Sequence, residues 1–247
     1  EFLNKIIMKG YILALFEIFI FFYISKCIKL NSKYQNISSL IYYWCMFTVL
    51  TGLWELFFIT NYRNITLMSE NLLKNNTHVW TNEYSLENLI PNKFSYLFYS
   101  EYGAYADREY MDKNQVWSRV IEGSHCLICG LFCLIGFIYQ YFNNNVEFYI
   151  SIGIAMGSQL MNSILYLFSY FYQMKDSNSV NYCSLNFECG NYLSKRLFMY
   201  VNVFWFIMPF LILIKLGNIY VVEKNLKYKN KSEIKLLNNK DRIFNHE

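Results

Sequence analysis

Charge, proline and glycine are all scarce in this chain. Of 247 residues only 16% are Asp, Glu, Lys or Arg, and there are two prolines and ten glycines. Intrinsic disorder is excluded, because it requires low hydrophobicity and high net charge. Here 55% of residues are hydrophobic, Phe and Tyr number 22 and 23, and the formal net charge is +4. Seven cysteines are spread over a length that can bury its own core, which argues against a disulfide-stapled miniature. Sequence repeats are also lacking, and the polar run Asn143-Asn144-Asn145 reads as a short turn. A soluble globule and a membrane protein remain, and the mean hydropathy of +0.15 does not separate them.

What separates them is the spacing of the few charges. A span needs about 20 apolar residues to cross roughly 30 Å of hydrocarbon. Gly10 to Ser25 contains Glu17 as its only charge, and Leu40 to Thr60 contains only Glu55. Val120 to Phe142 is apolar apart from Glu122 and His125, Phe148 to Tyr172 has no charge, and Leu197 to Val222 has only Lys215. The expected fold is therefore all-α: a five-helix polytopic membrane bundle with a ligand pocket inside it. Lysines 26, 29 and 33 follow the first stretch, and a basic tail follows the fifth, which places both on the cytoplasmic side and the N-terminus in the lumen. The first stretch lacks a small-residue cleavage site and reads as an anchor. The expected divisions are 1–38 (first span and cytoplasmic loop), 39–222 (a four-helix region with lumenal loops 61–116 and 173–196) and the tail 223–247. Those loops hold two sequons, at Asn64 and Asn75, and the pair Cys183 and Cys189, which suit an oxidising, glycosylating compartment.

An ionisable group inside a span costs several kcal/mol, roughly 2.5–3.5 on insertion scales, so each one marks a candidate site. Glu122 and His125 stand three apart on one helix face, with Arg119 on the same stripe. Gln159 and Asn162 repeat that spacing in the fourth span, as do Asn202 and Trp205 in the fifth. Together with Glu55 they could line one interior pocket. Taken singly, Gln159, Asn162 and Asn202 read equally well as interhelical hydrogen-bond links; Glu55 also has a reading as a structural partner of Arg119 or His125, and Trp205 one as an aromatic-belt or core residue. Glu17 has no polar neighbour at helical spacing and reads as an interfacial or packing residue.

The segment Asn202-Val-Phe-Trp205-Phe-Ile-Met-Pro209 resembles the Asn-x-x-Trp-x-x-x-Pro pattern of the emopamil-binding protein family of sterol isomerases, whose domain the sigma-2 receptor shares. Glu122 eight residues before Gly130, Glu101-Tyr102, Asp107-Arg108, Glu55, Gln159 and Leu165-Tyr166 are similar to further positions of that family, over roughly residues 40 to 222. Three positions depart from it. Thr51 stands where the family has a histidine, His125 where it has a threonine, and Ser163 where it has an aspartate, and the stretch from Asn64 to Ser95 is partly an insertion. The resemblance implies migration of a sterol ring double bond from Δ8 to Δ7 through a carbocation, without metal or other cofactor. It makes Glu122 and His125 the proton-transfer unit, Glu55 their partner, Asn202 an orienting group and Trp205 a cation stabiliser. Thr51, Gln159, Asn162 and Tyr166 would contact the substrate. The implied partners are a sterol or sterol-like lipid, cationic amphiphilic amines, membrane lipid and a second copy in a homodimer, with no nucleic acid. The implied location is the endoplasmic reticulum membrane. Thr51 and Ser163 favour a competing reading, a protein that binds such ligands without turning them over.

Overall fold

The computed structural model describes residues 6–112, 118–191 and 193–244, and their side chains other than those of Ser118, Glu122 and residues 223–244. The all-α expectation holds. The helices are α1 (Gly10–Leu30), α2 (Ser39–Asn75), α3 (Pro91–Tyr105), α4 (Gly123–Tyr141, led by a π turn at Ser118–Glu122), α5 (Asn145–Gln173) and α6 (Val201–Phe244). Five are long and apolar enough to cross a membrane: Gly10–Leu30, Ser39–Asn75, Arg119–Tyr141, Asn145–Gln173 and Leu197–Val222. The sheet found among the described residues is one short antiparallel pair, β1 (Ile7–Lys9) with β2 (Glu83–Ser85).

The segment expected as a loop from Asn61 to Val116 is largely helical. Helix α2 bends at Asn61, where φ and ψ are −110° and 15°, and continues to Asn75. An apolar run ends at Thr60, but helical periodicity does not: Ile65, Ser69 and Leu72 remain buried on one face while Arg63, Asn64 and Glu70 lie outside. The buried face packs on α3, which starts at Pro91, a residue suited to a first helical position. The sequon at Asn64 is thus built into α2, with Thr66 fully buried, whereas the one at Asn75 lies at the exposed helix end. Helix α6 runs on through Phe244 into the segment expected as a solvated tail; the side chains of its lysines lie outside the described residues.

Helix α2 is the axis of the bundle, packing chiefly on α4 and α3, while α4 packs on α5 and α5 on α6. Its approach to α4 is close because Gly52 has no side chain: a Cβ there would lie 2.7 Å from the Cys126 carbonyl oxygen. Helix α1 stands further off and touches α2 through large rings, Phe21 on Phe47 and Phe22 on Tyr43, with centroids 5.7 and 5.8 Å apart. Both α1 and the apolar part of α6 leave most of their surface to the surroundings, including Phe19, Tyr23, Phe204 and Phe210. In lipid such a surface is matched to its solvent, so burial within the bundle has to come from close packing and polar links.

The connections sort into two ends. At one end β1 pairs with β2, the Gly10 amide donates to Asn82 (2.9 Å), and the 174–196 segment is tied to the end of α3 by Arg108, whose amide donates to Asn181 Oδ1 (2.8 Å). That segment contains a disulfide between Cys183 and Cys189. At the other end Lys33 Nζ donates to the Tyr141 carbonyl (3.0 Å), joining the α1–α2 connection to the α4–α5 turn. Strand β1, the 76–90 segment and the 174–196 segment therefore share one end, the arrangement that five crossings would give.

Candidate functional site

A narrow cleft of about 70 Å³, or about 600 Å³ when the atom-free space out to the open mouth is counted, lies where the two hydrophobic cores meet. Helix α2 contributes Thr51 and Glu55, α4 His125 and Cys126, α5 Asn162, Ser163 and Tyr166, and α6 Val201, Asn202 and Trp205. Four aromatic residues, Phe98, Tyr99, Tyr102 and Tyr110, close it from α3 and the turn that follows.

Glu55 stands one helical turn after Gly52 on the same face of α2, and the close approach at Gly52 brings its carboxylate to the start of α4. Oε2 accepts from the amides of Cys126 (2.8 Å) and Leu127 (3.3 Å). A carboxylate buried between spans has to be met by donors, and these two amides supply them. The irregular π turn directly before α4 is of a kind that recurs at functional sites. Glu55 therefore works as a structural clasp between two spans while it also borders the cleft.

A directional chain of hydrogen bonds leads out of the cleft. Asn202 Nδ2 donates to the Tyr102 hydroxyl (2.8 Å), which lies 2.6 Å from the Tyr166 hydroxyl, which donates to Asp107 Oδ2 (2.6 Å). Asp107 is 1% exposed, and its Oδ1 accepts from Asn181 Nδ2 (2.7 Å) and the Glu109 amide (2.9 Å). Burial pushes the Asp107 carboxyl above the ordinary range, against the opposing pull of Tyr166, Asn181, the Glu109 amide and Arg196. Arg196, equally buried, donates to Tyr170 and to the carbonyls of Asn181 (both 2.8 Å) and Phe187 (2.7 Å), and its guanidinium lies over the Phe187 ring. Burial also pushes the Tyr102 hydroxyl up, and Asp107 adds to the effect. A second buried carboxyl, Glu101, accepts from the Val79 amide (2.9 Å) and meets His78 Nδ1 (2.8 Å); burial raises it and His78 lowers it.

The remaining expected site residues divide. His125 borders the cleft, with Nε2 3.1 Å from Ser158 Oγ and 3.5 Å from Cys129 Sγ. Trp205 also borders it and meets Trp44 edge to face at 5.7 Å. Thr51, Asn162 and Tyr166 line it. Gln159 does not: it is fully buried beside it, where Oε1 accepts from Trp44 Nε1 (2.9 Å), so it acts as the interhelical link that was its alternative reading. Glu122 belongs to the π turn by its backbone, but its side chain lies outside the described residues. Arg119 sits over the Tyr62 ring at 5.0 Å, away from the cleft. Glu17 is buried on α1.

Several cleft residues escaped sequence reasoning. Tyr99 and Tyr110 lie in the stretch treated as a loop, and Tyr102 was noticed only within a family motif. The signal that finds them is the four-residue spacing of Phe94, Phe98 and Tyr102 after Pro91. Among the described residues no group of three or more His, Cys, Asp or Glu side chains gathers as a metal ion requires. In comparisons with known proteins, no family model, no curated protein and no solved structure matches this chain.

Proposed function

We propose that the chain is a multi-pass endoplasmic reticulum membrane protein that isomerises a sterol ring double bond from Δ8 to Δ7. The observation that supports this reading is the convergence of Glu55, His125, Asn202 and Trp205, from three different spans, on one aromatic-walled cleft. The reaction consumes and releases nothing. A proton adds to one ring carbon, a carbocation forms beside it, and a second proton leaves from the next carbon. His125, with Glu122 three residues earlier in sequence, supplies the proton. The Glu55 carboxylate faces the cation and receives the departing proton, then gives it up to water at the cleft mouth while His125 takes one up from water, which restores both groups for the next turnover. The ring faces of Trp205 and Tyr102 stabilise the positive charge, by up to about 2 kcal/mol each when desolvated. The disulfide in the 174–196 segment and the basic residues near the opposite end support a lumenal N-terminus and a cytoplasmic tail.

The test is turnover. Purified protein given a Δ8 sterol should yield the Δ7 isomer, separated by chromatography and identified by mass spectrometry, and Glu55→Gln should reduce the rate at least a hundredfold. An unchanged rate in that variant removes the proposal. One observation favours a second reading, ligand binding without turnover: Glu55 is already engaged by two backbone amides of α4. Saturable sterol binding with no product would select it.

A further inference from the structure

On one side of the cleft Thr51, Ser163 and Asn202 have their hydroxyl and amide hydrogens committed elsewhere. Thr51 donates to the Thr48 carbonyl (3.2 Å), and Ser163 to the carbonyls of Gln159 and Trp205 (2.8 and 3.0 Å). Asn202 Nδ2 has two hydrogens and two oxygens to receive them, the Tyr102 hydroxyl at 2.8 Å and the Met199 carbonyl at 3.0 Å. Its orientation is fixed, because turning the amide over would set Oδ1 against the Met199 carbonyl. Oδ1 is left over, and no donor reaches it among the described residues.

The Tyr102 hydroxyl would be the donor on this wall if its proton were free. It is not, and the reason lies two links away. Three donors surround Asp107, Asn181 Nδ2 and the Glu109 amide at Oδ1 and the Tyr166 hydroxyl at Oδ2, and the ionised carboxylate that they favour accepts on both oxygens. Tyr166 has one hydroxyl proton and gives it to Asp107, so its lone pair faces Tyr102, and Tyr102 gives its own proton to Tyr166. The Met199 sulfur, 3.4 Å from Tyr102, is a much weaker acceptor than an oxygen at 2.6 Å.

We infer that Asp107 is a positioning residue that sets the hydrogen-bond polarity of the cleft, so that the Thr51, Tyr102, Ser163 and Asn202 wall only accepts and the ligand must present a donor to it, a hydroxyl or an ammonium. The inference rests on the proposed reading only in taking the cleft as a ligand site; it does not require isomerisation.

Asp107→Asn separates polarity from structure. The new amide keeps its oxygen toward the donors Asn181 and Glu109, and so turns its NH2 to Tyr166. Tyr166 must then donate to Tyr102, and the Tyr102 proton is released into the cleft. Tyr166→Phe reaches the same end by removing the acceptor of that proton, and it leaves the Asp107 contacts with Asn181 and Glu109 in place. The probes are a sterol bearing a protonated amine in place of its 3-hydroxyl, which only donates, and the corresponding 3-ketone, which only accepts. Binding is read by tryptophan quenching of the full chain in lipid nanodiscs. The original chain should bind the amine more tightly than the ketone by roughly tenfold to a hundredfold, the span of one hydrogen bond to a charged group. In both variants amine binding should weaken while ketone binding strengthens, closing the gap at least tenfold. A merely structural role would weaken both probes together, and that result overturns the inference, as does equal affinity in the original chain or failure of either probe to bind it. Turnover of a Δ8 sterol by the same preparation is a separate reading: its absence would sink the isomerase and leave the polarity result standing.

Discussion

Substituting Gly52 tests the contact that holds Glu55 against α4. An alanine Cβ would lie 2.7 Å from the Cys126 carbonyl oxygen, 3.2 Å from its carbon and 3.1 Å from Leu127 Cα. All three are backbone atoms of a packed helix, so relief requires α2 and α4 to part by roughly half an ångström along the most extensive helix pair in the bundle. The Glu55 bonds to Cys126 and Leu127, 2.8 and 3.3 Å long, lie one turn away and lengthen with it. Overpacking of this kind costs about 1–3 kcal/mol. Alanine also propagates a helix better than glycine by about 1 kcal/mol, which hides part of that cost. The control is Gly153→Ala on α5, where nothing lies within 4 Å of the added methyl and only the propensity gain remains. The difference between the two variants is then the strain itself. For a chain of this size it corresponds to an unfolding temperature lower by about 2–12 °C in Gly52→Ala, measured by intrinsic fluorescence in detergent or nanodiscs. Equal unfolding temperatures would refute the close approach and, with it, the clasp assigned to Glu55.

Two further outcomes concern the end of the bundle that carries the disulfide. Arg196→Met should strand the carbonyls of Asn181 and Phe187, at about 1–3 kcal/mol for each unpaired group, and limited proteolysis should then cut within residues 174–196 at least tenfold faster; an unchanged cleavage rate would show that the arginine is dispensable. Asp107 has a native pKa above the unfolded value of 3.8, so folding takes up a proton between the two. Its contribution to stability is present below 3.8 and is lost as the pH rises through the native pKa, a slope that Asp107→Asn should remove from denaturant unfolding curves recorded at successive pH values upward from 3.8. Identical pH profiles for the two chains would count against that proton uptake.

The spans and their number were legible in the sequence because lipid imposes a crude rule: about 20 residues without charge. Glu55, His125, Asn202 and Trp205 were legible for the same reason, as polar or polarisable groups where that rule is broken. Helix α3 and the far half of α2 were not, since their signal is periodicity within polar sequence, which a search for apolar runs passes over. Gln159 shows a different limit. Its spacing from Asn162 was read correctly as one helix face, but a face is wide enough to hold both a lining residue and one turned toward Trp44. The Tyr102, Tyr166 and Asp107 chain was out of reach altogether, because it joins residues from three elements by bonds that depend on the direction of single protons.

The bonds around Asp107 also carry a schedule. Its partners Tyr166, Asn181 and Arg196 lie well downstream, the last of them 89 residues later. At roughly 5–20 residues per second the ribosome needs about 4–18 s to supply them. At the start of that interval α2 and α3 have been made and the carboxylate destined for burial has none of those side chains to meet; Tyr166 comes first, then Asn181, and Arg196 last. The end of α3 must therefore stay open to water, or be held by another molecule, until the fourth span and the segment that follows it have been made. The cleft is sealed only late in synthesis.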